Sequence, residues 1–176
     1  MEKDWTTQQV ETMPVIALRG LTIFPNVLIH FDVAREISIK ALEEAMTAGS
    51  PVFLVGQKDL AVEKPEAKDL YTVGTVSKVR QILRMPGDNV RVMVEGLCRG
   101  SLDELKRTSP YLEAVVRTIP AEKAGNNSAK TEALIRSTYE MFQQYTELAP
   151  KTAPDLLINV LASEDPGYIA DFIAQN

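Results

Sequence analysis

Short apolar runs dominate residues 14–120, and glycine, proline and asparagine separate them. Residues 15–18 form one such run. From Val27 to Val33, every second side chain is valine, isoleucine or phenylalanine, which is the period of two expected of a strand with one buried face. This part of the chain is therefore predicted to be mostly β-sheet, with two strands before residue 34.

The period changes in the segment that ends at Gly49. Apolar residues recur there at intervals of three or four, and Glu36 lies near the start, so the pattern predicts one amphipathic helix with a glycine C-cap. Its apolar stripe consists of Ile37, Ala41, Leu42, Ala45, Met46 and Ala48. Residues 52–55 are apolar on both faces and predict an interior strand. Residues 57–71 are charged and irregular, which predicts a surface loop.

A β-hairpin is predicted around residues 86–89, because Pro-Gly-Asp-Asn is a turn-forming tetrapeptide between two strand-like segments. Valines at positions 90, 92 and 94 alternate with other residues on the second arm. Gly96 and Gly100 then predict a bend, and residues 111–119 predict a last strand.

The chain changes character after residue 120. Residues 121–127 lack apolar periodicity and predict a linker between a β-rich subdomain, residues 1–120, and a helical subdomain, residues 128–176. Ser128 or Asn127 is the predicted N-cap of the first helix, and the segments starting at Thr152 and Asp165 have the composition of further helix N-termini. The last of these helices has an apolar stripe and no termination signal before Asn176.

Composition and charge narrow the class of protein. The 176 residues are 45% apolar and 24% charged, which is the balance of a globular protein with a real core. The net charge of −5 and the pI of about 5.0 argue against nucleic acid as a partner. The lone Cys98, the polar N-terminus and the lack of any apolar run near 20 residues predict a cytoplasmic protein that does not span a membrane.

No catalytic, cofactor-binding or metal-binding site is predicted. The sequence contains neither G-x-x-x-x-G-K-[ST] nor G-x-G-x-x-G, and neither G-x-S-x-G nor S-x-x-K, so phosphate-cradling loops and serine nucleophiles have no motif. One cysteine and one histidine, Cys98 and His30, are too few for a conventional zinc site. They would form a catalytic pair only if the fold brought them together.

Two apolar segments are candidates for binding a partner, because they stand where turns are usually polar. The first lies between the first two strands and contains Leu21, Ile23, Phe24 and Pro25; the second is the hairpin tip with Met85 and Pro86. If they are exposed, they would suit extended, unfolded polypeptide, and methionine adds adaptability. The alternative is that Ile23 and Phe24 plug one end of the β core.

A cluster of arginines is a candidate for RNA phosphates: Arg80, Arg84, Arg91 and Arg99 lie on or near the hairpin. Acidic residues are interspersed among them, and no aromatic residue for base stacking accompanies them. RNA binding is therefore the weaker alternative.

Several segments in order resemble the N-terminal domain of bacterial Lon proteases. The first is MPVIALRGLTIFPNVLIHFDVAREISIKALEEAM, followed by VFLVGQKD, DLYTVGTVSKVRQIL, VRVMVEGLCRG and EDPGYIADFIAQN. The pattern P-x-x-x-L-R-x-x-x-x-F-P, followed by R-E-x-S-I-x-A, is specific in combination. The resemblance implies an α+β fold: a β-rich, PUA-like subdomain (similar to the pseudouridine-synthase-and-archaeosine-transglycosylase type) with one packed helix, then a small helical bundle truncated at its C-terminal end.

The resemblance also implies a role in protein quality control. In that family this region recognises unfolded or damaged proteins and helps to organise a hexamer, while a downstream ATPase module and a serine-lysine protease module perform the chemistry. ATP and magnesium would belong to the absent ATPase module, so no cofactor is expected on this chain and it is not expected to be an enzyme by itself. A free-standing substrate adaptor built from this domain alone is the other interpretation.

Overall fold

The chain forms two compact units, residues 1–121 and 122–176, called here the β unit and the helical unit. The structure is a computed structural model that describes residues 5–87, 89–121, 128–148, 158, 160 and 162–175. Six predicted linker residues, 122–127, and the predicted helix start at Thr152 lie outside the described residues.

The β unit consists of six strands, one α-helix and one short 3-10 helix. They are β1 (Val10–Leu18), β2 (Leu28–Val33), α1 (Glu36–Ala48), β3 (Val52–Gly56), the 3-10 helix (Ala67–Asp69), β4 (Val73–Arg84), β5 (Val90–Arg107) and β6 (Leu112–Ile119). The predicted strands, the single helix and the hairpin are confirmed, and with the helical unit they make the predicted α+β class correct.

The strand order is β2-β5-β4-β3-β1-β6, and β5 also pairs with β6. This second pairing closes β5, β4, β3, β1 and β6 into a ring, while β2 is attached only to the first half of β5. β1 and β3 are parallel and every other pair is antiparallel. Within this sheet β2 is therefore an edge strand.

The predicted bend between Gly96 and Gly100 coincides with a β-bulge. Val76 pairs with Cys98 and Ser77 pairs with Gly96, so Leu97 is an extra residue on β5. β5 runs without interruption from residue 90 to residue 107 and changes its partner from β2 to β6 along the way. Both glycines also permit the close approach of another segment. A Cβ atom at Gly96 would lie 2.2 Å from the Phe24 carbonyl oxygen, and one at Gly100 would lie 2.7 Å from Val116 Cγ1.

Helix α1 packs through Ser38, Ala41, Leu42 and Ala45, which are all buried. Gly49 caps the helix in the left-handed conformation with φ of 62°, and its N–H points to the carbonyl oxygens of the last turn, as the sequence predicts. The last-turn members of the predicted stripe, Met46 and Ala48, remain exposed.

Two apolar clusters fill the β unit, and β1 contributes to both. Ile16 and Leu18 face a cluster that includes α1, whereas Met13, Val15 and Ala17 face a second cluster inside the ring. In β3 both faces are buried as well, which confirms it as an interior strand. The second cluster contains Phe53, Val76, Cys98 and Val116, and Trp5 packs against it.

Cys98 should react very slowly with thiol reagents while the chain is folded. Burial, with a smaller effect from the Glu11 carboxylate, raises the pKa of its thiol from 9.0 to about 11. Two pKa units lower the reactive thiolate roughly 100-fold at pH 8. We expect labelling by a disulfide reagent at pH 8 to be at least that much slower than in urea. Comparable rates in both conditions would contradict this burial.

The helical unit contains α2 (Ala129–Leu148) and α3 (Pro166–Gln175). Its core joins Phe142, Val160 and Ile169. The N-caps predicted for both helices are confirmed: Ser128 Oγ accepts a hydrogen bond from the Thr131 N–H at 3.2 Å, and Asp165 Oδ1 accepts one from the Gly167 N–H at 2.8 Å. One apolar stripe of α2 stays exposed and consists of Leu134, Met141, Tyr145 and Leu148.

Candidate functional site

The β1–β2 loop, residues 19–27, is mostly part of the core. Ile23 and Pro25 are buried, while Leu21 and Phe24 are half-buried, and Leu21 and Ile23 pack in the cluster beneath α1. Burial of Ile23 and Pro25 does not fit the exposed surface expected of this segment. Only Leu21 and Phe24 offer apolar surface to a partner here, and a binding role for them stays a prediction.

Main-chain hydrogen bonds hold this loop in place. The Asn26 N–H donates to the Gly96 carbonyl at 2.9 Å, and the Gly96 N–H donates to the Val27 carbonyl at 2.9 Å. The Thr75 hydroxyl donates to the Ile23 carbonyl at 2.5 Å. Because three backbone groups of the loop are bound to β4 and β5, the loop is a fixed part of the unit rather than a free segment.

The tip of the β4–β5 hairpin is apolar and exposed. Leu83 is 47% exposed and Met85 is 39% exposed, and Pro86 is exposed beside them; these three residues are called the hairpin tip. The Met85 N–H donates to the Asn89 carbonyl at 2.8 Å, which closes the turn. Leu83 was not among the predicted site residues, although its spacing of two from Met85 is the signal that places both on one face of a strand.

The fold does not bring the loop and the hairpin tip together. The loop is bound at Gly96, which is opposite Ser77 in the β4–β5 ladder. Met85 follows Ser77 by eight positions, or about 25 Å at roughly 3.3 Å per strand residue. The two predicted apolar segments are therefore separate surfaces.

Most of the arginines proposed for RNA are paired with carboxylates. Arg91 binds Asp32 through two hydrogen bonds, of 2.7 and 2.9 Å, which lower the pKa of the Asp32 carboxyl. Arg80 binds Glu95 and Arg84 binds Glu43. Alternating charges of this kind leave little net positive potential for a phosphate backbone, so the geometry disfavours RNA binding.

A recess of about 360 Å³ lies between the end of β1, the end of β2 and the first turn of α1. Arg35 crosses it, and its guanidinium donates to the Ala17 carbonyl and to Gln57 Oε1. Burial, and then the nearby charge of Arg19, lower the pKa of Arg35. The recess is thus lined by apolar side chains and by two guanidinium groups.

The two residues considered as a catalytic pair, Cys98 and His30, lie in different environments. Cys98 lies in the cluster inside the ring while His30 is exposed on β2, so the fold keeps this pair apart. The described residues do not gather three His, Cys, Asp or Glu side chains where a metal ion could be held. In the described part of the chain, no helix is long and apolar enough to cross a membrane.

Comparison with known proteins identifies relatives along almost the whole chain. The family model described as the ATP-dependent protease La (LON) substrate-binding domain matches residues 12–176. The Lon protease of Desulforamulus reducens is 37% identical over 168 residues, which cover 96% of this chain and 20% of that protein. The Lon protease of Clostridioides difficile is 38% identical, with 100% of this chain and 23% of that protein covered.

Solved structures share the fold. The N-terminal domain of a Mycobacterium avium complex Lon protease superposes on this chain with a TM-score of 0.68 at 15% identity. The superposition covers 92% of this chain and 80% of that one. A Lon N-terminal domain protein from Xanthomonas campestris gives a TM-score of 0.58 at 11% identity, with 93% and 97% covered. The chain spans about a fifth of the length of its curated relatives. It belongs to the family of Lon substrate-binding domains.

Proposed function

We propose that this chain is the part of an ATP-dependent Lon-type protease that captures unfolded or damaged proteins in the cytoplasm and contacts neighbouring subunits of the oligomer. The observation that carries the proposal is the exposed apolar hairpin tip, considered together with membership of the Lon substrate-binding family. The chain itself needs no cofactor for this role, since ATP hydrolysis and peptide cleavage belong to the remainder of a Lon protease.

The chemistry of the hairpin tip suits a client without fixed structure. Unfolded proteins expose apolar side chains that folded proteins bury, and Leu83 and Met85 offer apolar surface to them. The flexible thioether of Met85 adapts to different partners. Burying an exposed apolar side chain contributes about 1 to 2 kcal/mol, so one hairpin tip binds a client weakly. It binds unfolded clients in preference, because folded proteins keep most of their apolar side chains buried.

Phe24 and Leu21 provide a second, smaller apolar contact at the other end of the hairpin. A client segment of about eight extended residues would span the roughly 25 Å between the two surfaces. Folded proteins rarely offer such a segment, because their strands are already paired. Two weak contacts on one chain therefore favour long unfolded clients over short or folded ones.

Contact with other subunits is assigned to the exposed stripe of α2. Leu134, Met141, Tyr145 and Leu148 recur at intervals of seven, four and three residues, which is the spacing of a helix face that packs against another helix. Leu148 is 85% exposed and Met141 is 68% exposed. Apolar side chains so exposed at such a spacing are typical of an interface rather than of free surface.

Capture by the hairpin tip is tested with α-lactalbumin in two states, native and permanently unfolded by reduction and carboxymethylation. We expect NMR shifts of the labelled chain near Leu83, Met85 and Phe24 with the unfolded state only. Replacing Leu83 and Met85 together with serine should weaken binding about tenfold or more, since each side chain contributes about 1 kcal/mol.

Ile119→Ser is the matched control, because Ile119 is 40% exposed and lies at the far end of β6. It should leave the affinity unchanged. Phe24→Ser tests the second contact separately. Full affinity in a folded Leu83→Ser/Met85→Ser variant would rule out the hairpin tip, and equal binding of native α-lactalbumin would rule out recognition of the unfolded state.

A further inference from the structure

On the side away from β5, β2 carries main-chain groups that no strand in the described part of the chain uses. We propose that this edge binds an extended segment of the unfolded client as an added strand, with the recess beside β1 receiving one end of it. The inference rests on the proposed function and adds to it a second mode of recognition. Here the client is held by its backbone, whereas the hairpin tip holds apolar side chains.

The register of β2 shows which groups point outward. The Gly96 N–H donates to the Val27 carbonyl, and the ladder continues in register as far as Val33 opposite Val90. Alternate residues of an antiparallel strand direct N–H and C=O to the same side, so Ile29 and Phe31 bind β5 while His30 and Asp32 face the free edge. Among the described residues, no turn or loop hydrogen bond covers these two.

Beyond Val15, β1 has no described strand partner on its β6 side, where it borders the recess. The Leu18 carbonyl accepts from the Gln57 N–H on the β3 side, so Ala17 faces the opposite side. In the β1–β6 register, Ala17 would be opposite Pro110, which has no N–H to donate. Arg35 supplies the missing donor to the Ala17 carbonyl, and the sheet stays open between β1 and β2.

The other free edge in the β unit is protected. Beyond Ser77, β4 has no described strand on its β3 side, and there it has a bulge between Val79 and Gln81 and a lysine, Lys78. Bulges and cations are the devices by which proteins prevent pairing at an edge. β2 has neither a bulge, a lysine nor a proline, and its one acidic group is neutralised by Arg91.

The recess combines apolar walls with the guanidinium group of Arg35. Arg19 and Arg35 both line the recess. Arg19 is paired with Glu63 at 3.3 Å, and Asp32, which also lines the recess, is paired with Arg91. Phe31, Val33 and Leu21 supply its apolar walls. Backbone hydrogen bonds do not depend on client sequence, which suits a domain that must accept many unfolded proteins.

Residue-resolved hydrogen exchange of the whole 176-residue chain tests the added strand. Without a client, the amides of His30 and Asp32 should exchange quickly and the Phe31 amide slowly. Saturation with reduced, carboxymethylated α-lactalbumin should slow His30 and Asp32 tenfold or more, and native α-lactalbumin should leave both unchanged. Client binding without slower exchange would overturn this inference alone, whereas no binding at all would overturn the proposed function as well.

Two variants at position 30 provide an independent measurement. His30→Pro removes an N–H that faces the free edge and leaves the β5 ladder intact, so it should weaken binding of the unfolded client at least fivefold. His30→Val keeps the N–H and should bind within twofold of the parent chain. Equal affinities in the two variants would overturn the inference, as would amides of His30 and Asp32 that are already slow without client because a second copy occupies the edge.

Discussion

Replacing Gly96 with alanine is expected to destabilise the β unit by about 3 kcal/mol, as the sum of overpacking and lost hydrogen bonds. The new Cβ atom would lie 2.2 Å from the Phe24 carbonyl oxygen and 3.2 Å from Pro25 Cα. Both are backbone atoms, so the β1–β2 loop must move away from β5. That movement weakens the two hydrogen bonds that join Gly96 to Asn26 and Val27.

Urea unfolding followed by tryptophan fluorescence measures this loss, because the only tryptophan, Trp5, packs in the β unit. Gly56→Ala is the control: its Cβ would lie 3.1 Å from the ring of Tyr71, which is 55% exposed and free to shift. We expect the control to change the free energy of unfolding by less than about 1 kcal/mol. If Gly96→Ala lowered the free energy of unfolding no more than Gly56→Ala does, the β1–β2 loop would tolerate displacement from Gly96.

Local patterns of the sequence predict the elements of the β unit well. Three features each involve only a few neighbouring residues: the alternation of β2, the apolar stripe and glycine cap of α1, and the Pro-Gly turn of the hairpin. Local backbone stereochemistry is enough to predict them. The parallel pairing of β1 with β3 and the pairing of β5 with β6 are different. They join residues far apart in the chain, and no local signal specifies them.

Gly96 and Gly100 show where the sequence is ambiguous. A glycine within a strand indicates either a bend or the close approach of another segment, and the chain around it looks the same in both cases. The structure has both features: the β4–β5 pairing shifts at Leu97, and Phe24 and Val116 lie close to the two glycines. The same nonlocal packing buries Ile23 and Pro25, which the sequence analysis names as candidates for binding a partner. Met85, another of these candidates, is exposed.

The free edge of β2 also depends on topology rather than on composition. The alternation from Leu28 to Val33 predicts a strand with one buried face, but it does not state whether one neighbour or two will pair with it. Pro110 is the residue that ends the β1–β6 ladder, and this effect on Ala17 appears only when the register is known. A binding mode that uses backbone groups is therefore very difficult to predict from the sequence.

Phe53→Ala is expected to have the largest effect, about 4 kcal/mol, because fully buried phenylalanines cost roughly 3 to 5 kcal/mol when truncated. The Phe53 ring is fully buried and packs over two glycines. A Cβ atom at Gly74 would lie 2.7 Å from Phe53 Cζ, and one at Gly100 would lie 3.1 Å from Cε2. Glycines have no side chain that could fill the space, so the cavity persists.

Gly100→Ala should partly refill that cavity, which makes the pair a double-mutant cycle. Alone, Gly100→Ala should cost about 2 kcal/mol, since its Cβ would meet Val116 Cγ1 at 2.7 Å as well as the ring. In the Phe53→Ala chain the ring is gone and Val116 has room to turn. We expect a cost smaller by about 1 kcal/mol there, measured by Trp5 fluorescence in urea. Additive costs would mean that the space beside Gly100 collapses when the ring is removed.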